Sequence, residues 1–213
     1  MRSCPRPVRL MTHLAESECR EGGRTREQLA RFAAATAGLA GERCIANSAG
    51  LIAWPEARAD WVRPGIMLYG ISPFPGTTGA ALGLRPAMRF ESRVIALREL
   101  AAGERVGYGG TWTAGAACRV AIVAAGYGDG YPRAAGNGTP VMVRGQAASL
   151  AGRVSMDMMA VDVTALPAVA VGDPVLLWGP ELPVETIAAA AGTIGYELTC
   201  RVSRRVPFEY RAA

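Results

Sequence analysis

The chain has no lysine. All 23 of its basic residues are arginine, so chemistry that needs a lysine amine as covalent nucleophile lies outside what it does alone. Histidine is nearly absent as well, with His13 the only one. No apolar run approaches the roughly 18 residues of a membrane span. The basic stretch Met1–Leu10 carries prolines and no apolar core follows it, which argues against a secretory leader. The five cysteines (Cys4, Cys19, Cys44, Cys118 and Cys200) are odd in number and form no close pairs. That pattern speaks against a disulfide framework or a metal site and for a reducing cytoplasm. The net charge is +5, yet no block of five like charges occurs, so neither nucleic acid nor a membrane is an expected partner.

What is present is an apolar half of the sequence, spread over 213 residues. That length holds one large domain or two small ones. Residues 1–72 alternate strand, polar turn and helix. Met1–Leu10 reads as irregular and Met11–Ala15 as a short apolar run. Thr25–Ala40 reads as an amphipathic helix capped by Thr25 and closed by Gly41. Cys44–Ser48 reads as a strand whose Ser48 caps a short helix through Trp54, and Trp61–Gly70 as a strand and glycine turn. This is α/β barrel grammar. A Pro-, Gly- and Thr-rich linker, Pro73–Pro86, separates it from a β-rich domain, so the expected division is 1–72 and 73–213. Strands are expected at Met88–Leu100, Arg119–Ala125, Val141–Arg144, Ser155–Val163 and Pro174–Trp178. A helix is expected at Val184–Ala191, Gly195–Val202 is ambiguous, and Val206–Tyr210 is a candidate closing strand.

Val106-Gly107-Tyr108-Gly109-Gly110 places one phenol among glycines, which let a backbone approach a ligand closely. Tyr108 is either an aromatic at a β-turn or a hydroxyl presented to a site. His13 is either a satisfied buried imidazole or a residue behind a site at a strand end. Ser48 and Gly65–Ile66 are either ordinary caps and turns or a phosphate cradle of backbone N–H groups.

Seven motifs stand in order: Thr12-His13, Ala46-Asn47-Ser48-Ala49, Val62-Arg63-Pro64-Gly65-Ile66, Val106-Gly107-Tyr108-Gly109, Gly126-Tyr127-Gly128-Asp129-Gly130-Tyr131, Gly152-Arg153-Val154-Ser155-Met156-Asp157 and Arg205-Val206-Pro207. From Met11 to the C-terminus the set resembles the alanine racemase family. The resemblance implies the last strands and helices of a TIM-type (β/α)8 barrel followed by a β-rich domain. It also implies pyridoxal 5'-phosphate, interconversion of L- and D-alanine for peptidoglycan precursors, and a head-to-tail homodimer in which each β-rich domain completes the partner's site. Residue by residue, Tyr108 matches the tyrosine that exchanges the α-proton on one face of the substrate. Met156 matches the backbone N–H that holds the substrate carboxylate. Ser48, Gly65 and Ile66 match the phosphate cradle, Arg63 the arginine facing the pyridine nitrogen, and His13 its neighbour. Tyr127, Arg133, Arg153 and Asp157 match residues that line or support the site.

Three departures accompany the match. The family's cofactor lysine and its carboxylate-clamping arginine have no counterpart, residues 1–10 resemble nothing in the family and read as an unrelated or misread start, and Arg204 stands where many members carry a tyrosine. The resemblance therefore implies a C-terminal portion that is inactive in isolation. Two classes of function follow: a racemase whose lysine-bearing part is supplied elsewhere, or a non-catalytic module that binds a full-length racemase chain. A few βα units with open sheet edges are expected to be marginally stable.

Overall fold

The computed structural model describes residues 8–211. The chain divides into two compact units, Met1–Arg85 and Pro86–Ala213. Among the described residues no helix is long and apolar enough to cross a membrane.

The first unit is a three-stranded parallel sheet. Its strands are β1 (Arg9–Met11), β2 (Glu42–Asn47) and β3 (Trp61–Arg63), in the sequential order β1-β2-β3. Helix α1 (Gly23–Ala35) connects the first pair and α2 (Ser48–Ala53) the second. The core is small: Leu14, Ile45, Ala46, Trp54 and Ala57, with Leu29 and Phe32 of α1 packed on it. The buried indole N–H of Trp54 donates to Ser17 O at 2.9 Å, so the largest core side chain leaves no polar atom unpaired.

Local capping differs from the sequence expectation in three places. Strand β1 includes Arg9 and Leu10, which pair in parallel with Glu42 and Arg43; a parallel neighbour imposes an order that ten residues of irregular composition do not display. Helix α1 begins at Gly23 after Gly22, and Thr25 lies buried inside it. The cap of α2 is Asn47, whose side chain accepts from Gly50 N–H at 2.8 Å. Asn is as good a cap as Ser, and the strand runs one residue too short for Ser48 to serve.

The second unit is built round a closed antiparallel barrel of six strands. They are β4 (Phe90–Leu100), β7 (Cys118–Val123), β8 (Pro140–Val143), β9 (Gln146–Leu150), β10 (Met159–Asp162) and β11 (Pro174–Trp178). The neighbours run β10-β7-β4-β11-β8-β9, and β9 returns to β10 through Leu150 and Val161. The eleven-residue β4 closes the ring: Phe90–Arg93 pair with β11 and Val94–Leu100 with β7. A register irregularity between Val94 and Ala96 marks the bend, the usual place for a strand to change partners. Val94, Val120, Val123, Val141, Val143, Val161 and Val175 are buried, β-branched side chains suited to a pleated surface. Tyr131 stacks on Trp178 (ring centroids 6.1 Å apart), which also meets Phe90 at 4.6 Å.

Outside the barrel, β5 (Arg105–Val106) and β6 (Trp112–Thr113) form a two-stranded ribbon. Helices α3 (Val184–Ala190) and α4 (Gly195–Arg201) follow β11. Two expected strands are corrected. Only Met159–Asp162 of 155–163 is strand, because Ser155 N–H closes a tight turn on Met158 O at 2.9 Å. Residues 206–210 are irregular, since every barrel strand already has two neighbours.

Candidate active site

In the first unit the anchor is Arg63, at the end of β3. Its Nη1 donates to Cys44 O (3.1 Å) and Cys44 Sγ (2.9 Å). Its Nη2 donates to Thr12 O (2.9 Å) and Ile45 O (3.1 Å) and lies 3.5 Å from His13 Nδ1. A planar fork with fixed donors can satisfy three carbonyls on two chain segments at once. His13 is exposed in the loop after β1. That loop is held by Gln28 of α1, whose amide bonds Ala15 N–H, Thr12 Oγ1 and His13 O. Arg63 Nε has no acceptor among the described residues and so is the one donor this guanidinium has to offer.

Nearby, Ser48 is buried at the start of α2, and its hydroxyl accepts from Met67 N–H at 3.3 Å. This brings Ser48 to the Gly65–Ile66 turn. Gly65 N–H is bonded to Arg63 O at 2.9 Å, whereas Ile66 N–H has no acceptor among the described residues. The first unit thus gathers Ser48, Arg63, Gly65, Ile66 and His13.

The second unit gathers the others. Tyr108 sits at the tip of the β5–β6 ribbon, 67% exposed. The ribbon is pressed against the 152–153 backbone, where a Cβ on Gly107, whose φ is 77°, would lie 3.0 Å from Arg153 N. Asn137 ties the same two segments, donating to Thr111 O (2.8 Å) and accepting from Gly152 N–H (2.7 Å). The Ser155–Met158 turn then meets the 126–131 loop: Tyr127 N–H donates to Ser155 O (3.0 Å) and Gly128 N–H to Met156 O (2.8 Å). At Gly126 a side chain would overlap the carbonyl oxygens of Ser155 and Met156. Met156 is 51% exposed, and its N–H has no acceptor among the described residues. Arg133 lies 6.0 Å from the centroid of the Tyr127 ring, and both side chains, like that of Arg153, are exposed.

Asp157 pairs with Arg205 at 2.5 Å, and Arg205 also reaches Asp129 at 3.4 Å. The hydrogen bond that Arg205 donates to Asp157, then the charge of Asp129, raises the guanidinium above its ordinary value. Cys44, Gln28, Asn47, Asn137, Asp129 and Arg205 are organising residues that the sequence reading did not single out. Asn47, Asp129 and Arg205 stood inside quoted motifs, which was the available signal. Cys44, Gln28 and Asn137 bond groups far off in sequence that only the fold brings near.

The family model described as "Alanine racemase, C-terminal domain" matches residues 87–210, and that for "Alanine racemase, N-terminal domain" matches residues 1–73. The second match starts at residue 1, which corrects the expectation that residues 1–10 resemble nothing in the family. The chain is similar to the alanine racemase of Vibrio cholerae serotype O1, with 50% identity over 208 residues, 98% of this chain and 58% of the relative. Among solved structures, the biosynthetic alanine racemase from Pseudomonas aeruginosa superposes with a TM-score of 0.93 at 49% identity, over 97% of this chain and 58% of that one. The Bartonella henselae alanine racemase, solved with covalently bound pyridoxal phosphate, gives 0.84 at 32% identity, over 92% and 55%. The chain thus spans a little over half the length of the relatives it matches. On the two domain matches and this level of identity, the chain belongs to the alanine racemase family.

Proposed function

We propose that this chain serves the pyridoxal-phosphate-dependent interconversion of L-alanine and D-alanine, as the part that supplies the cofactor's surroundings and one of two proton-exchanging groups. The observation that carries this is the convergence of the 107–108, 126–131 and 152–157 segments, which joins an exposed phenol, that of Tyr108, to the turn whose Met156 N–H has no acceptor among the described residues. The sequential parallel order of β1, β2 and β3 supports reading the first unit as βα repeats of a (β/α)8 barrel.

The donor set fits both polar ends of pyridoxal phosphate. Ser48 and Ile66 N–H, beside Gly65, would hold the phosphate, and Arg63 Nε would face the ring nitrogen, with His13 next to it. When bound, the cofactor would delocalise the negative charge left at the substrate Cα after proton loss. A guanidinium offers donors and no acceptor, so at that place it would donate to the ring nitrogen and leave it without a proton. The electron sink would thereby be weakened, which would hold the chemistry to proton exchange. Tyr108 would exchange the proton on one face, while Met156 N–H would fix the carboxylate. Tyr127, Arg133, Arg153 and Asp157 would line or support the approach. The donor set lacks an amine, because the chain has no lysine. The nucleophile and the second proton-exchanging group are therefore read as coming from another polypeptide segment, in a head-to-tail dimer with a lysine-bearing racemase chain.

A complementation assay tests this. A full-length racemase is disabled by changing its own counterpart of Tyr108 to phenylalanine, then mixed with this chain and pyridoxal phosphate. The expected result is restored D-alanine formation that is lost with Tyr108→Phe, and none from this chain alone. The missing amine also favours the non-catalytic reading. A stable heterodimer without turnover would establish that reading and overturn ours.

A further inference from the structure

We propose that Arg205 is a positioning residue, which clamps the Ser155–Met158 turn to the 126–131 loop and so aims Met156 N–H. The turn at 155–158 and the loop at 126–131 each carry a carboxylate, Asp157 and Asp129. Brought together unaccompanied, these would repel. Arg205, four residues past the end of α4, reaches both: Nη2 to Asp157 Oδ1 at 2.5 Å and Nε to Asp129 Oδ1 at 3.4 Å. The other oxygen of Asp129 accepts from Gly126 N–H at 2.9 Å, so the same carboxylate fixes the start of the loop. Ser203 N–H donates to Asp129 O at 3.0 Å, which delivers the arginine to this place. Its Nη1 occupies the space beside Gly128, where a Cβ would stand 2.6 Å from it.

An isolated exposed ion pair contributes little. The clamp differs in kind: one rigid fork spans two carboxylates on separate loops, and the two loops also exchange the Tyr127–Ser155 and Gly128–Met156 backbone bonds. Without Arg205 those bonds face a net repulsion between Asp129 and Asp157. A lysine would keep the charge but, as a point donor, would serve only one carboxylate.

This inference rests on the racemase reading only for its effect on turnover, so the test has two independent arms. In the isolated chain, hydrogen exchange of the Tyr127, Gly128 and Ser155 amides is followed in Arg205→Ala. We expect exchange about tenfold faster, with barrel amides such as those of Val120 and Val161 unchanged and Arg204→Ala without effect. Asp157→Asn, which keeps side-chain volume, serves if Arg205→Ala does not fold, and is expected to accelerate the same amides. In the complementation assay, Arg205→Ala is expected to raise KM for alanine about fivefold with kcat within about twofold, the pattern of lost uniform binding. Arg205→Lys should retain most of that increase. Unchanged exchange of the three amides overturns the clamp, and so does full recovery of KM in Arg205→Lys, which would reduce its role to charge. Faster exchange without complementation would leave the clamp standing and remove the racemase reading instead.

Discussion

Arg63 and Tyr131 show how differently two polar side chains can be settled. All the Nη donors of Arg63 are directed at groups on two chain segments, Thr12 and Cys44–Ile45, so Arg63→Met would take a donor from three carbonyls at once. The expected cost is about 2–3 kcal/mol, read from urea denaturation followed by Trp54 fluorescence. Tyr131 is the opposite case. It is 1% exposed, and its hydroxyl has no partner among the described residues. Burial pushes its ionisation above the ordinary tyrosine range. An acid whose folded pKa is raised favours the folded state fully below its unfolded value, near 10, and loses stability as pH rises beyond that. Stability should therefore fall above about pH 10, more steeply than in Tyr131→Phe. That variant should be neutral or up to about 1 kcal/mol more stable at pH 7, having lost an unpaired buried hydroxyl. Thermal melts of both proteins from about pH 7 to about pH 11, a range that crosses the unfolded tyrosine value, check this. At this scale the sequence was generous about which residues converge, because glycine-flanked motifs advertise themselves. It was silent about what holds them: Gln28 and Asn137 work through backbone groups far off in sequence, and Arg205 was visible only as a motif member without a role.

Elements depend on small matters of register. Asn47 both caps α2 and accepts from the buried Ser17 hydroxyl at 2.9 Å. Asn47→Ala should cost about 2 kcal/mol, a lost cap plus an unpaired buried hydroxyl, measurable as a shift of the first unit's urea midpoint. Gly126→Ala should cost about 2–3 kcal/mol in the second unit by overpacking, since the carbonyls it would meet belong to the backbone. Periodicity revealed β4, β7, β8, β11 and α3 to within a few residues, since these carry long apolar runs or clear alternation. It missed β9, Gln146–Leu150, because small residues there give no amphipathic signal. It overran at 155–158, where a chain that alternates like a strand is instead folded onto its neighbour by Ser155 N–H. Residues 206–210 failed as a strand for want of a free edge, a fact of topology that no local pattern holds.

Across the whole molecule the two units differ in how their sheets end. The first has outer strands β1 and β3 and a core of five buried side chains; the second has a ring. Two transitions in urea are expected, the earlier reported by Trp54 and Trp61 and the later by Trp112 and Trp178. Trp54→Phe should remove most of the earlier fluorescence change; a single coincident transition for all four indoles would contradict the expectation. The ring has a practical corollary. With no barrel strand left to recruit another, the open edges among the described residues of 86–213 are only the two-residue ones of the β5–β6 ribbon, too short for cross-molecular ladder growth, and this excised piece should stay monodisperse through concentration for NMR while preparations carrying the outer strands thicken and scatter light.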